Sequence, residues 1–268
     1  MGSPVNIVVL VKQVPDTAVE RKLKPADGTL DRAAVDGLIN ELDEYAIEEG
    51  LKIAEAQRDA GNQAEVTIVT MGPAKAAESI RKALSMGADK AVHLLDDGLA
   101  GSDALSTSYA LAQVLRQTGF DLVIAGSEST DARMGVMAAM LAERLDVPQV
   151  SLAAKVDIDG SVIRARRVSD DGYLEVEASL PAVVSVVEKI NEPRYPSFKG
   201  IMAAKKKPVT TMSLTEAGID PARVGLAGAA TEVADHVQRP PRAAGIVVKD
   251  EGDGGVKVAE FLAAQKFI

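Results

Sequence analysis

Five consecutive hydrogen-bonding side chains, Ser127-Glu128-Ser129-Thr130-Asp131, stand between Gly126 and the segment Ala132-Arg133-Met134-Gly135. A loop of this kind that leaves a strand and enters a helix can cradle a phosphate. Its backbone N–H groups and the positive end of the helix dipole supply the attraction. The loop has neither the Gly-x-x-x-x-Gly-Lys-Ser/Thr pattern nor Gly-x-Gly-x-x-Gly. On residues alone it reads equally well as an ordinary strand-to-helix loop with Ser and Thr caps. Other chemistries are poorly supplied. His93 and His236 are the only histidines, and neither has a cluster of partners in sequence, which disfavours acid–base catalysis by His, a Ser-His-Asp triad and a His-ligated metal. The chain has no cysteine, which excludes disulfides, thiolate metal sites and a Cys nucleophile. Asp250-Glu251-Gly252-Asp253 lacks the full spacing and distal Glu of a calcium loop and is expected to be an exposed turn.

The elements that would position the loop alternate between strand and helix. Val5 to Val11 is a nearly continuous apolar run, as in a strand buried on both faces. A helix is expected over Asn40 to Ala60, with Asn40 as N-cap and Glu41, Asp43 and Glu44 at its positive end. Strands follow at Glu65–Met71, Lys90–Leu95 and Asp121–Ala125. Helices are expected from Pro73 to Gly87, from a Ser102 cap through Leu115, and over Met134–Leu145. This alternation predicts right-handed βαβ units and an α/β fold with a doubly wound, mostly parallel sheet, Rossmann-like in its nucleotide-binding pattern. Three loops would leave strand carboxyl ends, beginning at Lys12, at Met71-Gly72 and at Gly126, and ligands of such sheets bind there. After Pro148 short strands and the turns Asp157-Ile158-Asp159-Gly160 and Asp170-Asp171-Gly172 predict an antiparallel extension running through Pro181–Val187.

Pro193 and Pro196 then predict an extended loop, neither helix nor inner strand. It carries Tyr195, Phe198, Ile201 and Met202, a candidate contact surface. Lys205-Lys206-Lys207 is expected to be its solvated base. Residues 208–268 contain no self-sufficient core and are expected to lie on another surface as an extended C-terminal arm, with a terminal helix over Lys257–Lys266. The chain thus divides into an α/β domain (1–190), a loop (191–207) and an arm (208–268). The formal charge of −9 argues against general nucleic-acid affinity. No apolar run reaches about 18 residues, so no membrane insertion is expected. Met1-Gly2-Ser3-Pro4 lacks the features of a signal peptide, and a cytoplasmic location is expected.

Blocks in order along nearly the whole chain resemble the electron transfer flavoprotein beta subunit. They include Val11-Lys12-Gln13-Val14-Pro15-Asp16, Tyr45-Ala46-Ile47-Glu48-Glu49, Met71-Gly72-Pro73-Ala74 and Ala83-Leu84-Ser85-Met86-Gly87-Ala88-Asp89. The most specific is Asn191-Glu192-Pro193-Arg194-Tyr195, followed by Ile201-Met202 and the Lys run. The resemblance implies a non-catalytic carrier subunit paired with an alpha subunit that holds most of the FAD. It implies electrons passing from acyl-CoA dehydrogenases to a quinone oxidoreductase, and a buried AMP in the beta subunit. Carried over by position, the AMP site would use Leu10, Asn40, Glu41, Leu42, Asp43, Met71 and Gly72, with Gly126, Ser127, Glu128, Thr130, Asp131, Arg133, Met134 and Gly135 from the loop. Tyr195, Phe198, Ile201 and Met202 would dock on the dehydrogenase, with Phe198 as anchor, and the arm would pack on the alpha subunit.

The chain departs from the family pattern in two places. The loop after Gly126 is shorter and lacks the family's usual Lys-Gln continuation. Thr17 and Leu42 replace aromatics that some relatives place near the flavin, which argues against flavin contact from these two positions. The competing expectations are an electron-bifurcating relative with a second FAD in place of AMP, an adenine-nucleotide-binding protein of the stress type, and a nucleotide-hydrolysing enzyme. The last would need a phosphate-activating motif or a metal-binding carboxylate cluster, and the sequence offers neither.

Overall fold

Apolar residues on both faces of one strand require cover on both sides, and the structure provides it. The computed structural model describes residues 5–238, 240–241, 245 and 247–268; Met1-Gly2-Ser3-Pro4, on which the signal-peptide expectation rests, lie outside the described residues. In chain order the elements are β1 (Val5–Leu10), β2 (Gln13–Pro15), β3 (Gly37–Ile39), α1 (Glu41–Asp59), β4 (Ala64–Met71), α2 (Ala77–Met86), β5 (Lys90–Leu94), α3 (Ala104–Thr118) and β6 (Leu122–Gly126). They continue with α4 (Met137–Leu145), β7 (Gln149–Asp159), β8 (Val162–Ser169), β9 (Gly172–Ser179), β10 (Ala182–Val186), α5 (Phe198–Ala204), β11 (Val209–Met212), α6 (Gly225–Gly228) and α7 (Gly254–Ala264).

The main sheet runs in the order β11-β5-β4-β1-β6-β10-β7-β8-β9, parallel from β11 to β7 and antiparallel from β7 to β9. Alternation along β1 sends Ile7 and Val9 to the core under α1 and α2, and Val8 and Leu10 to the core under α3 and α4. Ile7, Val8 and Val9 are at most 1% exposed, and burial of each contributes about 1.5–3 kcal/mol. α1 lies close on β1 because residue 50 has no side chain: a Cβ on Gly50 would sit 2.9 Å from Val9 Cγ2. The chain moves outward from β1 to β4 and β5, then returns across β1 to β6. The switch point therefore lies between β1 and β6, which puts Leu10 and Gly126 side by side at strand carboxyl ends.

Several expectations need correction. The Pro181–Val187 run is not part of the antiparallel extension. Its core, β10, lies in the parallel sheet between β6 and β7, which is why Ala182-Val183-Val184-Ser185-Val186 is buried throughout. The extended loop ends early: Phe198–Ala204 is helical, and Ser197 caps it by accepting the Gly200 N–H at 3.0 Å. Both prolines stand ahead of the cap, where they leave the helix ladder intact. Asp103, not Ser102, caps α3 by accepting the Ser106 N–H at 2.9 Å, while Ser102 Oγ accepts the Gly225 N–H. α4 begins at Met137 rather than Met134.

The expected arm also starts with structure of its own. β11 extends the parallel sheet beside β5, and Leu214, Ala217, Ile219 and Val224 join the core under α3. The described residues up to 233 form one compact unit and those from 234 onward another. In the second, α7 carries exposed Val256, Val258 and Phe261, and Asp250 closes a turn by accepting the Gly252 and Gly254 N–H groups.

Candidate functional site

The switch point is built from three segments. β1 ends at Leu10, which is buried, and hands on to Lys12. The first turn of α1 presents Asn40 and Asp43. β6 ends at Gly126 and opens the Ser127–Gly135 loop. Asn40 stands where an N-cap was expected, but its side chain bonds no helix N–H. Its amide instead donates to Asp43 Oδ1 at 2.9 Å and to the Glu128 carbonyl at 2.9 Å, and its Oδ1 accepts the Thr130 N–H at 3.1 Å. Asn40 therefore stitches the helix start to the loop. Asp43 takes the Lys12 N–H at 2.7 Å. Burial pushes the Asp43 carboxyl up to about 7, against the pull of Asn40, Lys12 and the Gly126 backbone. Gly126 has no room for a side chain, since a Cβ would lie 2.7 Å from Asp43 Oδ1.

Asp131 is the electrostatic centre of the loop. Lys12 Nζ reaches its Oδ1 at 2.8 Å and Arg32 Nη2 its Oδ2 at 2.5 Å, while the Asp131 side chain is only 1% exposed. Burial raises its pKa, but Lys12 and Arg32 outweigh that and hold the carboxyl well below the usual carboxylate range. Burial lowers the Lys12 pKa, with Asp131 opposing. Arg21 Nη1 donates to the Thr130 carbonyl at 2.7 Å. Two cations on one carboxylate leave one positive charge over, in the loop that leads into α4. Thr130 Oγ1 is buried with no hydrogen-bond partner among the described residues. A surplus cation, an orphaned hydroxyl and a helix N-terminus at a switch point fit an anionic nucleotide.

The remaining site residues are less closely joined. Glu41 is exposed and Leu42 half-buried. Met71 ends β4 two residues past the Leu10–Val69 pair that closes its register with β1, and pairs with Leu94 of β5; Gly72 follows it. The Gly72 carbonyl accepts His93 Nε2–H at 3.0 Å, and burial lowers the His93 pKa, a structural role for a neutral ring. Ser127 is half-buried; Glu128 pairs with exposed Arg133 at 3.1 Å. Met134 and Gly135 are exposed, and Gly135 has a positive φ of 64°. Arg21 and Arg32 escape a sequence reading. Both come from the irregular lobe between β2 and β3, about which no periodicity speaks. A hollow of about 410 Å³ lined by Leu152, Arg167, Val168, Ser169, Asp170 and Leu174 contains none of the residues of the strand-end site.

The second region is the segment from Asn191 to Lys207. Asn191 Nδ2 donates to the Tyr45 carbonyl and to Glu49 Oε2, both at 3.0 Å. Arg194 forks onto Glu48 and Glu55 of α1, with Nε at 2.8 Å from Glu48 Oε2 and Nη1 at 2.6 Å from Glu55 Oε1. Glu55 first and then Glu48 hold its guanidinium firmly charged. At the far end Arg81 Nη1 donates to the Ala204 carbonyl. Lys207 Nζ donates to the carbonyls of Leu84 and Gly87, closing the end of α2. Lys207 is thus fastened to α2 rather than solvated as expected, while Lys205 and Lys206 are exposed. Between these fastenings Tyr195 is 95% exposed and Phe198 81%, with Ile201 and Met202 about half exposed.

The comparisons with known proteins agree with one another. Residues 27–217 match the electron transfer flavoprotein domain. The chain is 53% identical over 264 residues to the electron transfer flavoprotein subunit beta of Mycobacterium tuberculosis, covering 98% of this chain and 99% of the relative. It is 35% identical over 274 residues to the subunit of the same name from Megasphaera elsdenii, covering 98% and 100%. It is 34% identical over 244 residues to the caffeyl-CoA reductase-Etf complex subunit CarD of Acetobacterium woodii, covering 91% of each. The chain belongs to the electron transfer flavoprotein beta-subunit family, whose members carry electrons with an alpha-subunit partner rather than catalyse a reaction of their own.

Proposed function

We propose that this subunit serves a cytoplasmic FAD-containing heterodimer that takes electrons from acyl-CoA dehydrogenases and delivers them to a quinone oxidoreductase. The observation that carries this reading is the row Tyr195, Phe198, Ile201 and Met202, apolar and outward on a segment fastened at both ends. An apolar row so exposed on a stiff support is suited to an encounter with a protein partner. The FAD, held mainly by the alpha subunit, supplies the redox chemistry when bound, and this chain supplies position and electrostatics.

AMP occupies the switch-point cradle in this reading. Asn40 and Asp43 hold the loop against α1, Lys12 and Arg32 offset the phosphate charge, and Thr130 Oγ1 offers a free hydroxyl. The C-terminal arm, with Val256, Val258 and Phe261 on α7, lies on the alpha subunit. Co-purification with the alpha subunit tests the reading. A yellow heterodimer that releases AMP on denaturation is expected, and a colourless homodimer that turns over ATP would overturn it. Release of FAD in place of AMP would favour the second reading, an electron-bifurcating carrier. The likeness to a subunit of a caffeyl-CoA reductase-Etf complex is the observation behind that alternative.

A further inference from the structure

We infer that Arg194 is the positioning residue of the docking segment, holding the apolar row ordered before a dehydrogenase arrives; this rests on the reading of that row as the docking surface. Glu48 and Glu55 lie two turns apart on one face of α1. Arg194 stands between them and spends nearly its whole donor set there. Nε and Nη2 reach Glu48 at 2.8 and 2.9 Å, Nη1 and Nη2 reach Glu55 at 2.6 and 3.0 Å, and its backbone N–H adds a bond to Glu48 Oε2 at 3.1 Å. The planar fork matches two carboxylates in a way that a lysine ammonium cannot. The very next residue is Tyr195, and Phe198 opens α5 three residues later.

The other end of the row is equally fixed. A Cβ on Gly200 would stand 2.4 Å from the Ser85 carbonyl, so α5 rests directly on α2 backbone. Arg81 and Lys207 close the far end. Without Arg194, the segment would be tethered at Asn191 and at Gly200, and the stretch bearing Tyr195 and Phe198 between them would be loose. A loose segment must be ordered on binding, and that cost falls on the affinity for the donor rather than on the electron-transfer step.

The test uses the purified αβ heterodimer as electron acceptor for an acyl-CoA dehydrogenase reduced by its acyl-CoA. Arg194→Gln is expected to raise the carrier concentration at half-maximal rate about tenfold, the ordering cost of one or two side chains. Turnover at saturation, FAD content and reduction by dithionite stay as in the parent. Arg194→Lys falls between the two. Glu55→Gln, which removes only the solvent-facing half of the clamp, raises the same concentration about threefold and keeps the test open if Arg194→Gln fails to fold. The clamp predicts weaker docking from both Arg194→Gln and Glu55→Gln. Simple charge steering would move the two in opposite directions, and that result overturns the inference. Parent-like behaviour of both variants alongside a weakened Phe198→Ala also overturns it. Parent-like behaviour of Phe198→Ala overturns the docking reading itself.

Discussion

The switch-point loop and the docking segment are held by mirror-image devices. In the loop one carboxylate, Asp131, grips two cations, Lys12 and Arg32. In the segment one cation, Arg194, grips two carboxylates, Glu48 and Glu55. The difference lies in what each clamp controls. Asp131 is sealed from water and pulls its loop inward over the end of the sheet. Arg194 is about one-third exposed, and the side chains it steadies point outward. Removing Lys12 or Arg32 leaves the buried Asp131 carboxylate short of a partner, which is costly. The Glu55 half of the open clamp is worth little to stability, since water screens it, and its value lies in order.

The comparison can be broken most forcefully at Asp131. Asp131→Ala unfastens the loop from Lys12 and Arg32, and a loss of about 2–3 kcal/mol is expected in urea unfolding, together with loss of bound nucleotide. A variant as stable as the parent would erase the distinction between the sealed and open clamps. Gly126→Ala is expected to cost about 1–3 kcal/mol by the same measurement, because its Cβ has nowhere to go between Asp43 and Leu42.

The response to pH sharpens the contrast within the loop. Asp131 is held below its ordinary value of 3.8, so its stabilisation is present above that value and is lost as pH falls further. Asp43 is raised to about 7, so its contribution weakens as pH climbs from about 3.8 to about 7. Asp43→Asn should therefore flatten the stability profile across that interval, read from melting temperature against pH. The smallest effect on stability is expected at Phe198→Ala, within about 0.5 kcal/mol in urea, while reduction by an acyl-CoA dehydrogenase slows.

The parts of the fold written locally were readable in advance. Val5 to Val11 announces a doubly covered strand by composition alone, and Asp43 and Glu44 announce the start of α1. β10 carries the same signature in Ala182-Val183-Val184-Ser185-Val186, but its place in the sheet is hidden. It follows two antiparallel pairings in the chain, yet it pairs with β6, whose residues lie about sixty positions earlier. α5 is obscured by Pro193 and Pro196, which dominate a local reading although the Ser197 cap lies just beyond them. In the site, the loop residues themselves were legible. Their holders were not: Arg32 meets Asp131 across 99 residues, and no spacing rule reports an encounter of that kind. Ser102 and Asp103 show the same limit at short range. Either could cap α3, and the choice is made by Gly225, 123 residues away, which takes up Ser102.

The position of β10 also bears on how the chain assembles. The β7–β8–β9 meander closes by short-range pairing and can form early. It has no seat on the parallel sheet until β10 fills the gap between β6 and β7. During synthesis at roughly 5–20 residues per second, the ribosome must therefore finish Val186 before the wing can be joined to a body whose first strand emerged far earlier. In that interval β6 and β7 each present an unpaired edge.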